Sequence, residues 1–218
     1  MSWWQAGSAC ALVTLCAAAG GKAQAEIVGG MVNGGTSGGT FVELVIPPPA
    51  AGPDVFESPD LIAFNEEQDL VLLAPLPVGP GRVLGVGSFV SSHYVSFDPG
   101  ELSTIAGYID FDEPIIGLLI NPVSLDATAG LLGAPLTSYS IAPGIGPDPQ
   151  MDTFRVALNM PNRLLVEFGA NSPGDQLRVL TGVAVPEPTT ALLLGVAVVG
   201  FAARPAASYP QSLRCNRH

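Results

Sequence analysis

A chain of 218 residues has room for one domain of ordinary size with short accessory segments, and a hydrophobic share of 48% is enough to pack a core. Its net charge is -11, and the excess is concentrated between Glu26 and Gly182, where 18 acidic residues face only Arg82, Arg155, Arg163 and Arg178 and there is no lysine. A phosphate backbone would be repelled by such a segment, which excludes nucleic acid as a partner.

The first predicted element is a leader. Ala9 to Ala19 is a mostly apolar run without Asp, Glu, Lys or Arg. It is long enough for a signal-peptide core and too short to span a bilayer comfortably. Ala23-Gln24-Ala25 then supplies a small-x-small cleavage pattern. A leader peptidase would cut after Ala25 and leave Glu26 first, so residues 1–25 read as a signal peptide. Leu15 before Cys16 makes no lipoprotein box, so acylation is not expected. Cys10 and Cys16 lie in this leader and Cys215 near the other end, so the stretch between has neither a disulfide nor a thiolate metal ligand.

Residues 26–182 read as one acidic domain. Gly29 to Gly39 is rich in glycine and suits a flexible lead-in; it lacks the Lys-Ser/Thr of a phosphate loop. Beyond it, runs of Val, Ile, Leu, Phe and Tyr are broken by clusters of Pro, Gly, Asp, Asn and Ser. The predicted strands are Thr40 to Ile46, Asp69 to Leu73, Val83 to Phe97, Thr104 to Phe111, Ile115 to Ile120, Leu136 to Ile141, Thr153 to Leu158, Arg163 to Phe168 and Gln176 to Thr181. Alternation is clearest where Leu164, Val166 and Phe168 oppose Glu167, and where Leu177, Val179 and Thr181 oppose Gln176 and Arg178. No window shows a sustained helical period. The expected fold class is all-β, a two-sheet β-sandwich, with a jelly roll as one topology open to it.

The domain's one histidine, His93, must carry any histidine-dependent mechanism. Alternation puts it on the face of Phe89, Ser91, Val95 and Phe97, with Ser92, Tyr94 and Ser96 opposite, which reads as a hydrogen-bonded core histidine rather than the base of a triad. Zinc hydrolase chemistry would need more histidines. Carboxylates are the abundant groups. Asp98 opens a Pro-Gly turn, and Asp110 and Asp112 share one strand face near Glu113. If the two places adjoin, Asp98, Asp110 and Asp112 could supply hard ligands to calcium, although no EF-hand spacing is present. The same acids could form a glycosidase pair, but nothing sets their separation. No catalytic residue is assigned, and the domain is expected not to be an enzyme.

Residues 183–218 form a tail in which Val185-Pro186-Glu187-Pro188 and two threonines precede an apolar run from Ala191 to Ala203 and then Arg204. Two prolines favour a helix starting just after Pro188, at about 189–203. Thirteen apolar residues at about 1.5 Å each reach only ~20 Å, short for a permanent anchor. Arg204 serves as the stop-transfer charge and keeps the acidic domain outside. Pro186, Glu187 and Pro188, with the helix and basic end behind them, resemble the PEP-CTERM sorting signal, and the resemblance is confined to this tail. The segment after Arg204 departs from the family's tight basic cluster.

That resemblance implies export to the cell envelope, recognition by an exosortase-like membrane protein, and anchoring by the carboxy-terminal helix before arrival at the cell surface or extracellular matrix. Extracellular polysaccharide is then the context and a candidate partner, although the loss of Trp3 and Trp4 with the leader counts against sugar binding. Tyr94, Tyr108 and Tyr139 are the aromatic candidates for binding it. The reading favoured is a non-enzymatic binding or adhesive module. The alternatives are a secreted polysaccharide-acting hydrolase using a carboxylate pair, or a structural matrix subunit that pairs through exposed sheet edges.

Overall fold

Strand-forming runs punctuated by proline and glycine pack here as two sheets face to face. A computed structural model describes residues 25–79, 81–140 and 146–182. The leader with Ala23 and the sorting tail with Pro186, Glu187, Pro188 and Arg204 lie outside them.

In chain order the elements are β1 (Ile27–Gly35), β2 (Phe41–Glu43), β3 (Ala50–Ala51), β4 (Ser58–Asn65), β5 (Leu70–Val71), β6 (Leu76–Pro77), β7 (Val83–Leu84), β8 (Phe89–Asp98), β9 (Ser103–Phe111), β10 (Ile115–Leu119), α1 (Pro122–Leu132), β11 (Ser138–Tyr139), β12 (Thr153–Ala157), β13 (Met160–Ala170) and β14 (Asp175–Thr181). The first sheet is antiparallel in the order β1-β9-β13-β12, and the second runs β10-β14-β8-β4-β2 with β5 also on β8. β2 joins β4 in parallel, as β11 joins β3, which departs from the antiparallel pattern of a jelly roll.

The core lies between the sheets. Ile105, Ile109, Phe111, Leu164, Val166 and Phe168 face Leu61, Ala63, Val95, Phe97, Leu177 and Val179. Each large side chain so buried is worth about 1.5–3 kcal/mol of transfer free energy. The alternation expected in β13 and β14 is present: the odd positions of β14 point inward while Arg178 and Leu180 point away.

The strand expected over Val83 to Phe97 is broken into β7 and β8, with Gly87 at φ 85° between them, the short β3 and β6 were not expected, and three further elements differ from the sequence reading. β1 is a strand, not a lead-in. Its glycines allow close approach: a Cβ on Gly30 would lie 2.7 Å from the Phe41 ring, and one on Gly35, at φ 105°, would lie 2.3 Å from the Thr104 carbonyl. β4 was hidden because Leu61 to Phe64 are all buried and so do not alternate, and Pro59 sits in a register shift where no ladder donor is needed. α1 has apolar residues on every side, so it lacks a helical stripe, yet its start is marked: Asn121 caps it by accepting from the Val123 N–H at 2.8 Å, and Pro122 opens the first turn. Through Leu125 and Leu132 the helix covers Val90, Ile116 and Leu180 on the outer face of the second sheet.

Candidate functional site

One sheet is covered on its outside and the other is not. In β9 the residues Thr104, Ala106, Tyr108 and Asp110 alternate with buried Ile105, Ile109 and Phe111, so they stand on the outer face of the first sheet. Strand register then carries a row across that face, from Arg155 on β12 through Leu165 on β13 and Tyr108 to Met31 on β1. Arg155, Glu167, Thr153 and Met31 are exposed. Arg163 lies beside Asp110 in the register and grips it with two hydrogen bonds of 2.6 Å, while its guanidinium carbon sits 3.9 Å from the centre of the Tyr108 ring. A forked pair of this kind fixes both side chains and so holds the Arg163 cation over the Tyr108 ring. Beside it lies a shallow depression of about 210 Å³, lined by Asn33, Thr153, Arg155, Leu165 and Glu167 among others. The face thus offers two guanidinium groups, an aromatic ring, an amide and carboxylates, of which Arg163 and Asp110 hold each other in place.

The opposite chemistry gathers at one end of the sandwich, where β8 finishes, β14 begins and β13 ends. Asp98 is buried there and accepts from the N–H groups of Phe56 at 3.0 Å, Glu57 at 3.2 Å and Gly174 at 3.0 Å. Asp152 accepts from Gly169 N–H at 2.7 Å and, through its other oxygen, from the Asp148 N–H. Asp175 is nearly buried beside them. Burial first, then the charges of Asp152 and Asp148, push its carboxyl up to about 7. Burial likewise raises Asp152, against the pull of its two N–H donors.

The carboxylates named for calcium do not share a site. Asp98 belongs to the acidic end, whereas Asp110 lies seven residues along β9 from Ser103, about 23 Å away at ~3.3 Å per residue. Asp110 is engaged by Arg163, and Asp112 accepts from the Glu26 N–H at 2.8 Å. Among the described residues no three His, Cys, Asp or Glu side chains are arranged to hold a metal ion.

His93 is fully buried and packs its ring 4.7 Å from that of Phe111. Nδ1 lies 2.7 Å from Asn65 Oδ1 and Nε2 lies 2.9 Å from Thr181 Oγ1. Asn65 Oδ1 can only accept, so Nδ1 carries the proton and Nε2 accepts from the threonine hydroxyl. Burial holds the ring neutral, with its pKa lowered to about 3.

The largest polar feature missed by sequence reasoning lies under α1. Arg178 and Glu66 form an entirely buried fork with bonds of 2.5 and 2.8 Å, and the remaining guanidinium nitrogen donates to Thr128 Oγ1 at 2.7 Å and the Leu125 carbonyl at 3.3 Å. Tyr139 stands 5.4 Å from this guanidinium and accepts from the Ala134 N–H, and Tyr94 is buried with its hydroxyl on Gln176. Of the three tyrosines considered for sugar binding, Tyr108 alone lies on the open face.

A family model describing the PEP-CTERM protein-sorting motif matches residues 184–204. The chain carries a PEP-CTERM sorting motif. The matched span contains Pro186, Glu187, Pro188, the apolar run and Arg204. A PEP-CTERM tag marks an exported protein sorted by an exosortase, itself a membrane protein, and held at the membrane before the tag is cut. No curated protein and no solved structure matches the chain. Among the described residues no helix is long and apolar enough to cross a membrane, and the apolar part of the PEP-CTERM tag lies outside them.

Proposed function

We propose that the domain carried by the PEP-CTERM tag is a non-enzymatic binding or adhesive module, and that the outer face of its first sheet engages extracellular polysaccharide. The observation that carries this reading is the row Arg155, Leu165, Tyr108 and Met31 on the uncovered sheet face, exposed at Arg155 and Met31 and half-buried between them, with the Arg163 guanidinium against the Tyr108 ring. In a domain so short of cations, two of four arginines stand on one open sheet face. Tyr108 and Leu165, both half-buried, leave apolar surface for a sugar beside the Arg163–Asp110 pair, and the exposed guanidinium of Arg155 suits a uronate or another anionic substituent. Arg163, already held by Asp110, loses little entropy on binding.

Against catalysis stand the commitments of the polar groups. Both oxygens of Asp152 serve main-chain donors, and both nitrogens of His93 are bonded inside the core. The test is co-sedimentation of the purified protein with polysaccharide from its host, with reducing ends assayed in the same tubes. Tyr108→Ala and Arg155→Ala should each weaken binding about tenfold, and reducing ends should stay at background. Reducing ends that rise with the wild type and vanish with Asp175→Asn would replace this reading with the hydrolase.

A further inference from the structure

The first described residues are bonded into the fold rather than trailing from it. Ala25 is buried, Glu26 N–H donates to Asp112 Oδ1 at 2.8 Å, and Asp112 N–H returns a bond of 3.1 Å to the Glu26 carbonyl. Ile27 N–H donates to Asn65 Oδ1 at 3.2 Å, on the same oxygen that receives His93 Nδ1. The start of β1 is thereby tied to the core histidine and, through it, to Thr181 at the end of β14.

The surroundings of Glu26 carry negative charge without a compensating cation. Its own carboxylate acts on Glu43 of β2, whose carboxyl is raised by burial and then by Glu26. Glu113 is raised by burial, then by Asp112 and Asp69. The groups facing this point are therefore Glu26, Glu43, Asp112 and Glu113, with Asp69 behind Glu113. The uncharged Asn65 and His93 complete the set, and no arginine contact is recorded for any of these acids among the described residues.

We propose that Asp112 is the receiving site for the amino terminus created when the leader is removed, so that processing converts a neutral N–H···O contact into an ion pair. The inference rests on cleavage after Ala25. Hydrolysis of the Ala25–Glu26 peptide bond consumes one water, giving Ala25 a carboxylate and Glu26 an amine that takes up a proton. The ammonium nitrogen is the same atom that already lies 2.8 Å from Asp112 Oδ1. Cleavage thus supplies the one cation that the cluster lacks, at the position where a cation is best bonded. Because Ala25 is buried and both polar atoms of the Glu26 backbone are engaged, the peptidase must act before β1 docks.

The composition provides a direct assay. Lys22 is the sole lysine in the sequence, so a chain running from Glu26 to His218 has a single primary amine. Such a chain, released from a cleavable fusion, is labelled with an amine reagent across a pH series. An ordinary terminal amine titrates near 7.7–8.0. The wild-type amine should titrate about one unit higher, and labelling at pH 8 should be several-fold slower than for Asp112→Asn. A chain beginning at Ala25, one residue longer, should also return to ordinary titration, which covers the case of a poorly folding Asp112→Asn protein. Equal titration in all three chains overturns the ion pair. The cleavage reading is judged separately, from the intact mass of the protein exported by its host: a first residue other than Glu26 overturns that reading without affecting the labelling result.

Discussion

Replacing Asp175 by asparagine should make the domain more stable above neutral pH and leave it nearly unchanged in acid. The carboxyl is pushed up to about 7 from an ordinary 3.8, first by burial and then by Asp152 and Asp148. Between about pH 4 and 7 the native state therefore holds a proton that the unfolded chain has released, so this group's contribution falls as pH rises through that window and levels off above 7. A difference from 3.8 to about 7 corresponds to at most about 4 kcal/mol. Water reaching the end of the strand screens the charge, which brings the expected penalty to about 1–2 kcal/mol at pH 8. His93 works in the other direction. With its pKa lowered to about 3, the buried ring leaves the proton to the unfolded chain, and stability rises with pH from about 3 to 6.5. The wild-type profile is thus the sum of two opposed slopes, and the informative quantity is the difference between Asp175→Asn and wild type. Urea unfolding at pH 4.5, 6 and 8 measures it. The difference should climb with pH in favour of the variant; a difference that is flat or falls with pH would refute the assignment of a buried, titrating carboxyl.

Glu66→Gln should destabilise by about 3 kcal/mol, since it leaves the fully buried Arg178 charged and uncompensated, while Glu66→Leu with Arg178→Met should recover much of that loss in urea melts. Asn121→Ala removes the acceptor for Val123 N–H and should cost about 1 kcal/mol, read from the thermal midpoint.

The elements legible in the sequence were those with one wet and one dry face. β9 and β13 alternate between exposed and buried positions; the alternation was singled out in the sequence for β13, and β9 was expected as a strand over Thr104 to Phe111. β14 alternates too, and Arg178 lies on the face opposite Leu177 and Val179 as expected, but that face is buried under α1, where Arg178 is the partner of Glu66. Nothing local reveals that pair, because 112 positions separate the two residues. The helix was hidden because its apolar residues form no stripe on one side, although Asn121-Pro122 was a start signal in plain view. β1 was misread because glycine was taken for flexibility where the packing of Gly30 against Phe41 demands a missing side chain. His93 was placed correctly as a core residue, but its partners Asn65 and Thr181 come from distant strands. The acidic end was missed for the same reason: Asp98, Asp152 and Asp175 converge only through strand order, whereas Asp110 and Asp112, adjacent on paper, lie toward the other end.

Gly182 N–H bonds the Pro114 carbonyl at 3.1 Å, two residues from the aspartate that holds Glu26. Entry to and exit from the domain therefore share one pole. Only residues 183–188 separate that pole from Thr189, a tether of at most about 21 Å. Anything that engages Pro186, Glu187 and Pro188 must therefore do so close to the pole that holds Glu26, while Asp98, Asp152 and Asp175 lie at the other end of the sandwich.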